Sequence, residues 1–446
     1  MDRGRIAAEL QSREGVRQGD ALASLLCALA LRSTYSRSID GLDCHAVAVM
    51  DDFYIFGPVD SSFTGYDRFL NYLPHINLTS NILKSNILLN DDYITPLLIN
   101  NCNSRQLPYS TTFIPALGSI LTRDSDIFSD WLVDQVTSIH KPFFNILLDP
   151  RLPSQHAFTL LRNSMVPRMN YFSRTTPPPV LVPAAREFDR LVVDTFSRKM
   201  ALPALTDEAR LQLALPVREG GFGLSSVEVV SPAAWYSALA NSFNRIRPLI
   251  DTLNTLTPSI PFVKYLSQCI TYFKSFKFPP RSPISPTPAQ FWLNYENKRC
   301  GAGSQRFIMT VIYKTRSKTL FNKFHRNSPD RARLTSISTP YSGSWLITPP
   351  LNPLFTIHDV NFSLATRLRL GLPLFDNISR CTCGNTIDKY LHHFMSCEYL
   401  NSHRIVRHDR MVQVLTQIAR RCGVVTKVEP RIDGEDKSRG DGLLYF

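Results

Sequence analysis

The 446-residue chain contains no apolar stretch long enough to cross a membrane. Its opening, MDRGRIAAELQSREGVRQGD, lacks the apolar segment of a secretion signal. Both absences point to an intracellular protein. Paired cysteines are missing too: of nine, six (Cys27, Cys44, Cys102, Cys269, Cys300 and Cys422) stand singly, which excludes a secreted disulfide framework and suits a reducing compartment. Acidic residues are short, 37 against 50 Lys and Arg, leaving a net charge of +13. Such a surplus of cations favours polyanionic partners through counterion release, nucleic acid ahead of membrane surfaces or acidic proteins. A basic protein with no nucleic-acid role has the same composition. No internal repeat is present. Length and a 43% hydrophobic content suffice for a sizeable core, divided into about two to four domains.

Apolar residues Leu22, Leu25, Leu26 and Leu29 recur at helical spacing after Asp20, which is placed as an N-cap, so a helix is expected to about Arg37. Two β-type runs, His45–Val49 and Phe53–Phe56, are separated by Met50-Asp51-Asp52 and read as strand, tight turn, strand. A helix is expected over Tyr66–Leu73 and a strand at Ile87–Leu89. Three more helices follow, Ile127–Leu148, His156–Phe172 and Ala185–Met200, with Pro177-Pro178-Pro179 as a breaker between the last two. The proline-rich stretch Phe276–Pro288 reads as a linker. Beyond it, Arg306–Arg333 is dense in Lys and Arg with Phe307, Tyr313, Phe321 and Phe324 interleaved. That pattern suits a nucleic-acid path, where cations track phosphates and rings stack on bases. A solvated helix whose aromatics face a core explains it equally well.

Val49-Met50-Asp51-Asp52 carries the most chemistry. Adjacent carboxylates on a turn repel and raise each other's pKa, a penalty that a divalent cation removes. Nucleotidyl transfer uses two carboxylate-held metals, one activating the primer hydroxyl and one bridging the triphosphate. Upstream stands Gly15-Val16-Arg17-Gln18-Gly19-Asp20-Ala21-Leu22 and downstream Leu78-Thr79-Ser80-Asn81-Ile82-Leu83-Lys84-Ser85, then Leu117-Gly118 in a short apolar segment. In this order and spacing the motifs resemble the reverse transcriptase of a non-LTR (LINE-like) retrotransposon. The resemblance continues weakly through Leu160-Leu161-Arg162 and Pro167-Arg168 to Leu215-Pro216-Val217-Arg218-Glu219-Gly220-Gly221-Phe222-Gly223-Leu224. That glycine-rich segment has the wrong spacing for a phosphate loop and reads as a backbone turn needing positive φ.

The resemblance implies Asp51 and Asp52 as ligands of Mg²⁺ or Mn²⁺, and Gln18 and Gly19 lining the nucleotide site. It implies Lys84 near the triphosphate as a proton donor to pyrophosphate, and Leu117-Gly118 as the primer-grip hairpin. RNA template and DNA primer or target DNA would be the partners, in the nucleus. The family also places a third catalytic Asp and the fingers upstream of the Gln-Gly-Asp motif. Here only Asp2 and Glu9 precede Glu14, and neither lies on a strand-like run. Ala21, Ala23 and Val49 also replace the family's usual Pro, Ser and aromatic. The expectation is a chain inactive, or nearly so, as a polymerase on its own.

Cys381-Thr382-Cys383-Gly384, His392 and Cys397 supply three thiolates and an imidazole within seventeen residues, a closed tetrahedral set suited to structural zinc. His393 is an alternative ligand, since adjacent histidines do not easily face one metal. Gly384 allows the knuckle turn. A metal-free helical hairpin is the plain alternative. With Asp388 and Arg407-His408-Asp409, the stretch resembles the zinc knuckle ahead of the restriction-like endonuclease of some non-LTR elements. Glu429-Pro430 and Arg439-Gly440-Asp441 would then fall where that nuclease begins, with no cleavage activity expected from a single carboxylate.

The expected fold is α+β: an incomplete polymerase palm of antiparallel strands with helices (residues 1–125), a helical thumb (126–230), a basic connector (231–375), and a zinc-knuckle tail with a truncated nuclease-like region (376–446). The expected function is that of an RNA-directed DNA polymerase domain. Two alternatives stand beside it, a catalytically dead nucleic-acid-binding protein and a pseudogene fragment without a stable fold. The oligomeric state is open.

Overall fold

The computed structural model describes residues 19–251, 261–280, 282–291, 304–351, 356–375, 379–421, 423–428 and 442–445. Among them helices dominate, and the strands form small two-stranded sheets, so the chain is a mostly helical α+β protein. It divides into two compact units, one up to Phe128 and one from Ser129 onward. No described helix is long and apolar enough to cross a membrane.

In the first unit, helix α1 (Ala23–Ile39) begins three residues after Asp20. The Asp20 carboxylate accepts the Leu22 N–H at 2.8 Å, so it orders the turn ahead of the helix and does not occupy the cap itself. The buried face of α1 carries Ala23, Leu31, Thr34 and Ser38, whereas the regularly spaced Leu22, Leu25, Leu26 and Leu29 are all exposed. An antiparallel hairpin follows, β1 (His45–Val49) and β2 (Asp52–Phe56), in register Val49↔Asp52 through His45↔Phe56. Period-two alternation puts Phe53 and Ile55 on the same face, towards α1 and helix α2 (Val59–Tyr72): Phe53 stacks on Tyr35 and packs at a tilt against Phe69, and Ile55 reaches Gly65.

Strand β3 (Ile87–Leu88) leads to helix α3 (Pro96–Ser104), whose Thr95 side chain caps it by accepting the Leu98 N–H. Strand β4 (Tyr109–Ser110) returns parallel to β3. Phe63, Leu89, Leu98, Cys102 and Leu107 form the core beneath. Arg105 closes this core, bonding both carboxylate oxygens of Asp67 at 2.7 and 2.8 Å and lying 4.6 Å over the Phe63 ring. A second antiparallel hairpin, β5 (Phe113–Ala116) and β6 (Ser119–Thr122), turns at Leu117-Gly118, both with positive φ. The strands of this unit thus form two separate antiparallel ribbons and one short parallel pair.

Helix α4 (Ser125–Asp134) spans the boundary and runs through a π-turn (Gln135–His140) into α5 (Lys141–Leu147). Helix α6 (Ser154–Leu160) continues through another π-turn and a 3-10 turn at Pro167 into α7 (Asn170–Thr175). The triple proline ends α7 as expected, but it also starts α8 (Pro178–Lys199) seven residues ahead of the expected Ala185. Proline is tolerated in a first helical turn, where its missing N–H has no partner to lose. Helices α9 (Asp207–Ala214) and α10 (Val227–Asp251) follow. Asp189 of α8 caps α10 from the side, accepting from Ser226 Oγ and the Val227 and Glu228 N–H groups. Phe158, Phe196, Phe222 and Phe362 interlock with centroids 5.4–6.1 Å apart, each ring contributing roughly 1.5–3 kcal/mol of burial.

The thumb–connector boundary drawn at 230/231 falls inside α10. That helix packs on α7 and α8 and also on α11 (Pro261–Lys274) and α12 (Ser304–Asn322). Tyr236, Phe243, Phe273, Phe291 and Ile312 form their shared core. The supposed linker belongs to it. Phe276 and Phe278 pack against this core, and Ser285, 1% exposed, donates its N–H to Tyr236 Oη at 2.8 Å. Apolar anchors on either side of the prolines make the stretch a strap. Helices α13 (Pro329–Ile337), α14 (Ser344–Ile347) and α15 (Asp359–Leu370) complete this region. The tail holds the hairpin β7 (Ser379–Arg380) and β8 (Thr386–Ile387), then α16 (His392–Ser396), α17 (Asn401–Arg421), and the antiparallel pair β9 (Val425–Val428) and β10 (Gly442–Tyr445).

Candidate metal centres

At the tip of the first hairpin, Met50 and Asp51 form the turn and Asp52 opens β2. Met50 has φ +60°, and both carboxylates are exposed. Tyr35 of α1 donates its hydroxyl to the Met50 carbonyl at 2.9 Å, and its ring stacks on Phe53 at 4.5 Å. Burial, with Cys27 and then the two aspartates nearby, pushes the Tyr35 phenol up to about 12. Among the described residues no third His, Cys, Asp or Glu joins Asp51 and Asp52 in a metal-sized cluster.

Gly19 lies just ahead of α1 with φ +89°, and Gln18 lies outside the described residues. Lys84 ends a 3-10 turn, Ile82–Lys84, with its side chain exposed. That motif borders an open cavity of about 430 Å³ lined by Thr79, Ser80, Asn81, Ile82, Leu83 and Gln106. No described contact joins Lys84 to the hairpin tip.

The second centre is in the tail. Sγ of Cys381, Cys383 and Cys397 and a ring nitrogen of His393 all lie within 4.8 Å of one another. Cys381 and Cys397 Sγ are 3.8 Å apart, and Cys383 Sγ is 3.3 Å from His393 Nε2. A tetrahedral zinc with Zn–S of about 2.3 Å places its sulfurs about 3.8 Å apart. The donors therefore match in identity and in spacing, and the cluster can bind a metal such as zinc. Gly384, at φ +87°, turns the chain so that its N–H reaches the Cys381 carbonyl at 2.9 Å, a conformation glycine takes without penalty.

The imidazole in the cluster is that of His393, the alternative to the expected His392. His393 and Cys397 are four residues apart, one helical turn, so both reach the same side of α16. His392, one position earlier, is rotated by about 100°. Its ring stacks on Tyr390 at 5.6 Å, with Nδ1 3.5 Å from Asp388. Asp388 fixes the start of α16: one oxygen accepts the Tyr390 and His392 N–H groups, and the other accepts that of His393 at 2.8 Å. The backbone N–H of Cys383, then His393, lowers the Cys381 thiol, which favours the thiolate that metals require.

The glycine-rich segment is a structural knot. Gly220 has φ +82°, and a Cβ on Gly221 would meet the Leu215 carbonyl oxygen at 2.0 Å. Arg369, 4% exposed, donates to the Val217 and Gly221 carbonyls at 3.2 Å, while Gln212 Nε2 bridges the Gly220 and Arg369 carbonyls. Burial, then the Arg333 charge, brings Arg369 down to about 10.

In the basic stretch the aromatics serve the core. Tyr313 bonds Ser225 Oγ at 3.0 Å, and Phe321 and Phe324 pack against Leu215, Leu320 and Leu334. Of the four expected stacking rings only Phe307, 37% exposed, faces outward, while Arg306, Lys314 and Lys318 are exposed. The tail residues Glu429, Pro430, Arg439, Gly440 and Asp441 lie outside the described residues. Compared with known proteins, the chain matches no family model and no curated protein sequence.

Proposed function

We propose that the chain is the reverse transcriptase domain of a non-LTR retrotransposon-derived protein, inactive or nearly so on its own, whose partners are an RNA template and a DNA primer or target DNA in the nucleus. The observation that carries this reading is the hairpin presenting Asp51 and Asp52 at its tip, within one compact unit that also holds Lys84 and the Leu117-Gly118 hairpin. Asp51 and Asp52 would hold Mg²⁺ or Mn²⁺, which when bound activates the primer hydroxyl and screens the triphosphate. Lys84 would give a proton to the departing pyrophosphate, Gln18 and Gly19 would line the nucleotide, and the tail cluster would carry structural zinc.

Primer extension on an RNA template tests this, with D51N/D52N as the control. Extension that disappears in the variant supports catalysis at this tip, extension that persists in the variant overturns it, and extension by neither protein agrees with the expectation of a chain inactive on its own. A second reading, nucleic-acid binding without catalysis, is favoured by the lack of a third acidic group beside Asp51 and Asp52 among the described residues. It predicts no extension, together with binding whose log affinity falls linearly with log salt.

A further inference from the structure

We infer that Tyr35 is a positioning residue that holds the Asp51–Asp52 turn in the shape that receives a metal ion, an inference that rests on the metal-binding reading of that tip. Met50 occupies the left-handed region at φ +60° without being glycine, so the turn carries a steric penalty that something must offset. Tyr35 supplies the restraint. Its hydroxyl donates to the Met50 carbonyl at 2.9 Å, and that carbonyl belongs to the peptide whose nitrogen starts Asp51. Orienting this peptide sets the direction in which the Asp51 side chain leaves the backbone.

The phenol is itself held. Its ring stacks on Phe53 at 4.5 Å and on Phe69 at 5.8 Å, while Phe53 and Phe69 pack together at 4.9 Å. Phe53 directly follows Asp52, so one aromatic stack braces both ends of the acidic pair. The tip's exposure leaves both carboxylates free to take an incoming cation.

The test uses the full chain loaded with zinc and Eu³⁺ as the probe, a hard cation that keeps water wherever protein oxygens do not displace it. Emission lifetimes in H₂O and D₂O count the bound waters, and titration gives affinity. D51N/D52N is expected to bind more weakly and with more water than the wild type. Y35F, which keeps the stack and removes only the hydroxyl, is expected to lose about tenfold in affinity and gain about one water. Adding M50G, since glycine adopts positive φ freely, is expected to recover part of that loss. F53L, which removes the stacked ring and leaves the hydroxyl, should shift hydration in the same direction and serves if Y35F does not fold. Wild-type hydration and affinity in Y35F would overturn the role of Tyr35 alone. Equal Eu³⁺ binding by wild type and D51N/D52N would overturn the metal reading of the tip, and the Tyr35 role with it.

Discussion

Replacing His393 by alanine removes one of four donors whose atoms lie within 4.8 Å of one another. Structural zinc brings roughly 10–16 kcal/mol of apparent binding free energy, so one donor of four carries about 3 kcal/mol, or about 100-fold in affinity. Little else holds this part of the chain together: β7 and β8 contribute two residues each and α16 five. Loss of metal should therefore melt the knuckle locally. His392→Ala removes only the stack on Tyr390 and a 3.5 Å contact with Asp388, and should change zinc affinity by less than about threefold. Elemental analysis gives zinc per chain, and competition with a chromophoric chelator gives the affinity. Cobalt substitution reports whether a tetrahedral thiolate site remains. Zinc retained by H393A and lost by H392A would refute the assignment, as would wild-type protein with far less than one zinc per chain.

Further outcomes follow from the same geometry. Asp388→Ala removes three hydrogen bonds at the start of α16 and should weaken zinc binding roughly 10- to 100-fold, read by the same chelator competition. His140 is 9% exposed with both ring nitrogens unpartnered, set edge-on to Phe188. Burial, then Arg168, lowers it below its ordinary 6.5, so its contribution is complete above that pH and is lost as acid protonates the unfolded chain. His140→Phe should abolish that loss, seen as a smaller shift in urea midpoint between about pH 7.5 and 5.5. Asp189 behaves in the opposite sense: burial pushes it from 3.8 up to about 6, so the folded chain holds the proton more tightly. Its contribution is full at low pH and declines by about 3 kcal/mol as pH rises through that interval. Denaturant titrations of Asp189→Asn between those pH values should lack this decline.

What the sequence disclosed, and what it hid, divides by range of interaction. The hairpin tip was legible because two β-type runs flank three residues too few for anything but a turn. The knuckle was legible in its cysteine spacing, and counting one helical turn back from Cys397 would have chosen His393 over its neighbour. The basic helix left two readings open because α12 alternates its charges and rings without a clean stripe. Only the packed partners Leu215 and Leu334 reveal that Phe321 and Phe324 point inward. Proline content suggested a linker over 276–288, yet Phe276, Phe278 and the Ser285–Tyr236 bond pin it down. Tyr35 escaped notice since its partner lies fifteen residues away with no local signal. The leucines at helical spacing from Leu22 to Leu29 were legible as a helix but not as an exposed face.

Helix α10 has a practical consequence for anyone dissecting this chain. It lends one flank to α7 and α8 and another to α11 and α12, so a fragment stopped at residue 230 would strip the earlier helices of their cover, and one started there would lack the carboxylate at Asp189 that caps it. Either piece would be sticky and prone to precipitate. Scissors belong between β6 and α4, just ahead of Ser125, where no helix is split and the two compact units part close by.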